Sequence, residues 1–142
     1  MAAKSFLLKI TDWLQSTEMF ERPRKKLPGK WILFEYFVDK GEELLHFQED
    51  DLKKYQESFT IEFESDEQFL LESTISIKLV QNIKHGSWSV SRNFVSLIHP
   101  ENFRDSIEFQ FAFDRGNLKM LKKDAAGKIE FFGIFRKQKS DT

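Results

Sequence analysis

No cysteine occurs among the 142 residues, so disulfides and thiolate metal sites are excluded, a pattern compatible with a reducing compartment. No apolar run approaches the roughly 20 residues needed to cross a bilayer. The opening MAAKSFLLKITDWLQ is interrupted at Lys9 after Phe6, Leu7 and Leu8, and so lacks the apolar centre and small-residue cleavage site of a secretory signal. The expectation is a cytoplasmic protein with no membrane span. An excess of charge is missing too. The 22 Lys and Arg stand against 23 Asp and Glu for a formal net charge of −1, and no long-range field favours nucleic acid or an anionic membrane. The local clusters RPRKK (Arg22–Lys26) and EDD (Glu49–Asp51) read as solvated stretches.

What the chain has in quantity is phenylalanine, 16 residues against three Met, which predicts a rigid aromatic interior. At 142 residues a single domain buries roughly two thirds of the surface of its unfolded form and needs no covalent staple. From Ser5 to Phe20, the residues Phe6, Ile10, Trp13 and Leu14 recur at helical spacing with Lys9, Asp12 and Gln15 between them. That spacing predicts an amphipathic α-helix. Pro23 and Pro28 bracket a connector expected to be non-helical, beyond which the apolar period changes to two.

Eight strand-like runs follow: Lys30–Val38, Ser58–Glu64, Gln68–Val80, Ser87–Ser91, Phe94–Ile98, Ser106–Phe113, Leu118–Leu121 and Lys128–Arg136. Glu42–Tyr55 is ambiguous, since EELLHF suits a short strand and EDDLKKYQ a helical turn; it reads as a lid or an irregular crossing. Phe59, Ile61 and Phe63 oppose Thr60, Glu62 and Glu64, and Ile107, Phe109, Phe111 and Phe113 oppose Glu108, Gln110, Ala112 and Asp114. One face is therefore core and the other wet. An antiparallel meander leaves two open edges unless it closes on itself. The expected class is mainly β: an antiparallel up-and-down barrel of about eight strands with an N-terminal amphipathic α-helix, a two-sheet sandwich being the alternative. The division follows as 1–26 for the helix and basic linker, 27–138 for the barrel and 139–142 for a tail.

Gly29-Lys30-Trp31 opening the first strand, a second Gly86-Ser87-Trp88 in mid-chain, and the ending FFGIFRK together resemble the lipocalin-like (calycin superfamily) domains, small bacterial ones among them. The resemblance spans Leu27 to about Lys137. It implies that Gly29 and Trp31 plug the closed end of the barrel, and that Arg136 from the last strand packs across the indole. It also implies an interior that commonly holds one lipophilic molecule. The Arg-x-Tyr pair with which fatty-acid-binding proteins hold a carboxylate is absent from EFFGIFR, so a fatty-acid carrier is not indicated.

If Trp31 points inward, period two places Leu33, Glu35 and Phe37 inside and turns Ile32, Phe34, Tyr36 and Val38 outward. That outward row needs a cover, either the Ser5–Phe20 helix or a second copy of the chain. The inverse orientation buries Tyr36 and frees Glu35. Inward-reading Phe59, Phe63, Phe69, Phe109, Phe111, Phe113 and Phe131 can fill the barrel unaided, or can line a cavity. The candidate ligand-binding residues are Leu33, Glu35, Phe37, Ser73, Ile75 and Phe111, with Glu35 in a wet pocket or near the mouth.

Catalysis is not indicated. His46, His85 and His99 are widely spaced, no Gly-x-Ser-x-Gly elbow or phosphate loop occurs, and no metal or cofactor is expected, although haem on a single His is known in the superfamily. Two functions remain. One is non-enzymatic binding of a small lipophilic ligand. The other is a filled scaffold that meets a protein partner, or a second copy, through its outer surface or N-terminal helix.

Overall fold

The computed structural model describes residues 23–41, 43–75 and 77–139. Past Leu27 the period-two pattern becomes nine strands among them: β1 Gly29–Lys40, β2 Glu43–Phe47, β3 Phe59–Phe63, β4 Gln68–Ser73, β5 His85–Ser91, β6 Phe94–Ile98, β7 Ile107–Asp114, β8 Asn117–Lys123 and β9 Ile129–Lys137. Two short α-helices, α1 Pro23–Lys26 and α2 Glu49–Lys54, and two 3₁₀ turns at Lys78–Val80 and Phe103–Asp105 complete the described elements. No described helix is long and apolar enough to cross a membrane. The predicted Ser5–Phe20 helix and most of the 139–142 tail lie outside the described residues.

Each strand from β3 to β9 pairs antiparallel with the next, and β9 returns to β1 with Trp31 opposite Lys137 and Val38 opposite Phe131. The first strand therefore closes on the last, as the resemblance implied. Because every interior edge is paired, closure removes the open edges that a flat sheet of this length would expose. β1 is long enough to fork: Gly29–Ile32 pair with β3, whereas Tyr36–Lys40 pair with β2. Strands β1 and β3–β9 form the closed eight-stranded barrel, and β2 is an extra strand lying against the far half of β1.

The segment read as a lid or an irregular crossing is instead regular where it is described, with Glu43–Phe47 a strand and Glu49–Lys54 a helix. α2 begins where the Gln48 amide donates to Asp51 Oδ2 at 2.8 Å. Acidic Glu49, Asp50 and Asp51 in its first turn and Lys53 and Lys54 in its last match the helix dipole, and Leu52 anchors it to the core. The run Gln68–Val80 is not one strand. It breaks after Ser73, whose hydroxyl accepts from the Ile75 amide at 3.0 Å while the Thr74 amide donates to Ser58 O at 2.8 Å. The connector after Pro23 is not irregular either, but one helical turn, since proline suits a first helical position where no N–H needs a partner.

The strand β1 departs from simple alternation. Its pairing with β9 passes from Leu33 opposite Phe135 to Glu35 opposite Ile134, leaving Phe34 as an unpaired extra residue, a β-bulge. Trp31 and Leu33 point into the core before the bulge, and Tyr36 and Val38 after it. Both orientations weighed from the sequence hold, one on each side of Phe34. The expected outward row is corrected accordingly: Tyr36 and Val38 are buried, and only Ile32 and Phe34 face out, half-buried.

Candidate binding site

At the end where β1 begins, the barrel is shut. Trp31 is 2 % exposed and its indole N–H donates to Leu27 O at 2.8 Å, with Leu27 itself fully buried beneath α1. The Phe113 ring stands 5.9 Å from the indole, and Lys26 Nζ lies 4.9 Å from the Phe113 ring centre. The basic residue over Trp31 is Lys137, with Nζ 5.6 Å from the ring, not Arg136. Lys137 stands opposite Trp31 in register, which puts Arg136 on the other face of β9. There its guanidinium lies 4.3 Å from the Phe34 ring and 3.1 Å from Glu49 Oε2. Gly29 suits this place through its backbone, whose φ of +135° favours glycine, and a Cβ there would also displace the end of the Lys137 side chain. The second Gly-x-Trp serves the same end: Trp88 packs edge-on to Phe63 at 5.5 Å and donates to Glu64 O at 3.0 Å.

Above this plug the interior is aromatic and deeply buried. Phe59, Phe63, Phe69, Phe109, Phe111, Phe113 and Phe131, all expected inside, are at most 1 % exposed, and Phe135 joins them. Their rings meet in stacked and edge-on pairs, as between Phe59 and Phe131 at 6.0 Å and Phe59 and Phe135 at 5.5 Å. Gly133 shows how tightly they fit, for a methyl at its Cα would lie 2.7 Å from Phe131 Cζ and 2.9 Å from Leu33 Cδ1.

The opposite end is open between its strands and is covered in part by chain that is not strand. Between β4 and β5 only three residue pairs are in register, Gln68–Leu70 against His85–Ser87. Past them the strands part around the segment after Ser73, which sends Ile75, Val80 and Ile83 into the core. A cleft of about 260 Å³ follows this seam, lined in part by Leu71, Ser73, Val80 and Ile83. A second, of about 350 Å³, lies between the 3₁₀ turn and the rim of β1, where Val38, Ile77 and Leu79 meet Asp39, Lys40, Lys78 and Glu130. Asp39 Oδ1 is shielded there without a hydrogen bond, its nearest cation being Lys128 Nζ at 3.5 Å. A wider groove of about 980 Å³ runs outside the shut end along Lys30, Glu62, Glu64 and Lys137, but it is open and charged.

The predicted set is split by this arrangement. Leu33 and Phe111 lie in the packed interior, Ile75 lies under the open end, and Ser73 is occupied in the turn that ends β4. Glu35 and Phe37 are not inside. The Phe34 bulge reverses their direction, so that Glu35 Oε2 meets His46 Nε2 at 2.6 Å and the Phe37 ring stacks on His46 at 4.0 Å, outside the barrel wall. Inside, in their stead, stands Tyr36, stacked on Phe47 at 4.8 Å and donating its hydroxyl to Glu57 Oε1 at 2.9 Å. Burial and then the Glu57 carboxylate push its phenol above the usual range. Sequence reasoning missed Ile77, Leu79 and Val80 as rim residues because they were read into the long strand-like run Gln68–Val80.

No family model matches the chain, and no curated protein matches it. Among solved structures, it is similar to a lipocalin-like protein from Bacteroides uniformis at a TM-score of 0.47 and 17 % identity, over 80 % of this chain and 99 % of that one.

Proposed function

We propose that this protein is a non-catalytic binding module that takes a small lipophilic molecule at the open end of the barrel. The supporting observation is the cleft of about 350 Å³ between the 3₁₀ turn and the β1 rim, at the small end of the roughly 300–1,000 Å³ typical of ligand sites. Its apolar floor of Val38, Ile77 and Leu79 suits a hydrocarbon or ring, and the charged rim suits a polar end group. The segment that forms it is joined to the wall by little strand pairing. An outward swing of Ile75 and Val80 would lengthen the site towards Phe111 and Leu33, whereas Glu35 and Phe37 take no part. A naphthalene sulfonate dye should bind with one-to-one stoichiometry and be displaced by an uncharged or anionic lipophile. Leu79→Trp, which fills the cleft, should abolish that binding; unchanged binding in the variant would overturn the assignment.

The filled-scaffold reading is favoured by a separate observation, the absence of room at Gly133 for even a methyl group. On that reading the interior serves stability alone, and partners meet the outer surface. Native mass spectrometry of the purified chain separates the two. A co-purified small molecule supports the first, while a bare monomer that also fails to bind the dye supports the second.

A further inference from the structure

The outer wall of the barrel is not uniform. Around β3 and β5–β7 the outward positions carry Thr60, Glu62, Ser89, Ser96, Glu108 and Gln110, as expected of a wetted face. Across β2, β1, β9 and β8 the corresponding positions carry a second apolar cluster, distinct from the core, in which Phe37, Leu44 and Ile134 surround Leu121, Ile129 and Phe132. Leu121 and Phe132 are neighbours of the inward Met120 and Phe131 and so point to the outside, yet they are only 1 % and 4 % exposed. Six apolar side chains gathered over four adjacent strands are more than a water-facing wall carries without a purpose.

We propose that this patch is the seat of residues 5–20 of the same chain. The stripe Phe6, Ile10, Trp13 and Leu14 has the spacing of one helical face, and an apolar stripe on a surface helix needs a complementary apolar floor. Sixteen helical residues span roughly 24 Å, and a patch four strands wide is roughly 14 Å across at about 4.8 Å per strand. The point of attachment is favourable as well. α1 sits at the shut end against Phe113, whose strand partner Leu118 belongs to β8. From there Phe132 is five residues back along β9 from Lys137, roughly 17 Å at about 3.3 Å per residue. A segment of this length laid along the β8–β9 wall therefore reaches the patch, and seated there it shields the surface from a second copy.

Paramagnetic broadening tests this in the full-length chain, in which a single introduced cysteine is the only thiol. A nitroxide on Gln15→Cys, at a polar position beside Leu14, should weaken the amide signals of Leu121, Phe132 and Ile134, while those of Ser89 and Ser96 on the far wall keep their intensity. The same spectrum reports whether the variant is folded, and Lys9→Cys is the second label site if it is not. Absence of selective broadening from either site overturns the proposal. Broadening that appears in an isotope-labelled, unlabelled-thiol chain only when the spin-labelled chain is mixed in also overturns it, because the occupant is then a second copy.

Discussion

Gly133→Ala probes the interior with one methyl group. The added Cβ would approach Phe131 Cζ to 2.7 Å, Phe131 Cε1 to 2.8 Å and Leu33 Cδ1 to 2.9 Å. Phe131 has little freedom to yield, with Phe59 stacked 6.0 Å away, Tyr36 at 6.1 Å and Phe109 edge-on at 6.4 Å. Overpacking a filled core costs about 1–3 kcal/mol. Replacing a strand glycine returns about 0.5–1 kcal/mol through the unfolded chain. The net expectation is a loss of about 1–2 kcal/mol, a fall of roughly 0.5–1 M in the urea midpoint at m values of this size, read from Trp31 and Trp88 fluorescence. Leu33→Val, which withdraws Cδ1, should recover part of the loss, so that the double variant is more stable than additivity allows. A neutral or stabilising Gly133→Ala would refute the reasoning and show that the barrel holds usable space.

Trp31→Ala should cost about 3–5 kcal/mol through the cavity it leaves. Lys137→Ala should cost about 0.5–1 kcal/mol and couple to Trp31 in a double-mutant cycle, whereas Arg136→Ala should couple to Glu49 and not to Trp31. Deleting Phe34 removes the bulge and leaves every other β1 residue on its present face, so the chain should still fold, with a loss of about 1–3 kcal/mol in a thermal melt; deletion of Ile32 reverses a face and should abolish folding. Tyr36 has a folded-state pKa raised above its unfolded value, so its contribution is complete below about pH 10 and is lost as pH rises beyond that. Tyr36→Phe should flatten this alkaline decline and cost about 0.5–1.5 kcal/mol at neutral pH, and an unchanged alkaline slope would contradict the assignment.

Strand positions were legible wherever one face meets the core and the other meets water. Phe94–Ile98 has the bounds expected of it, and the inward faces of β3 and β7 are those read from alternation. The chemistry that marks turns, DKG, DRGN and KDAAG, marked them correctly as well. Closure of the first strand on the last was expected and holds, but the local register of that pairing escaped. The bulge at Phe34 follows from how β9 lies against β1, and nothing in ILFEYF announces it, because apolar residues occupy both faces there. That one residue explains why Glu35 and Phe37 were placed inside. Arg136 was set over Trp31 by the resemblance, which implies a basic residue near the end of the last strand; the register gives that place to its neighbour Lys137. The rim at Ile77–Val80 escaped for the opposite reason, since an apolar run suits a strand and a plug equally.

Closure of β1 on β9 also constrains how the protein is made. The two strands that seal the wall are separated by roughly a hundred residues of sequence, and pairings of such separation form late and slowly. During synthesis β1 can acquire β2 and β3 on one edge soon after it emerges, but its other edge, from Trp31 to Val38, has no partner until β9 is made. Through that interval an apolar strand edge stays ready to pair with any neighbouring nascent chain. The forked early pairing limits the danger to one side only, and the last strand ends it.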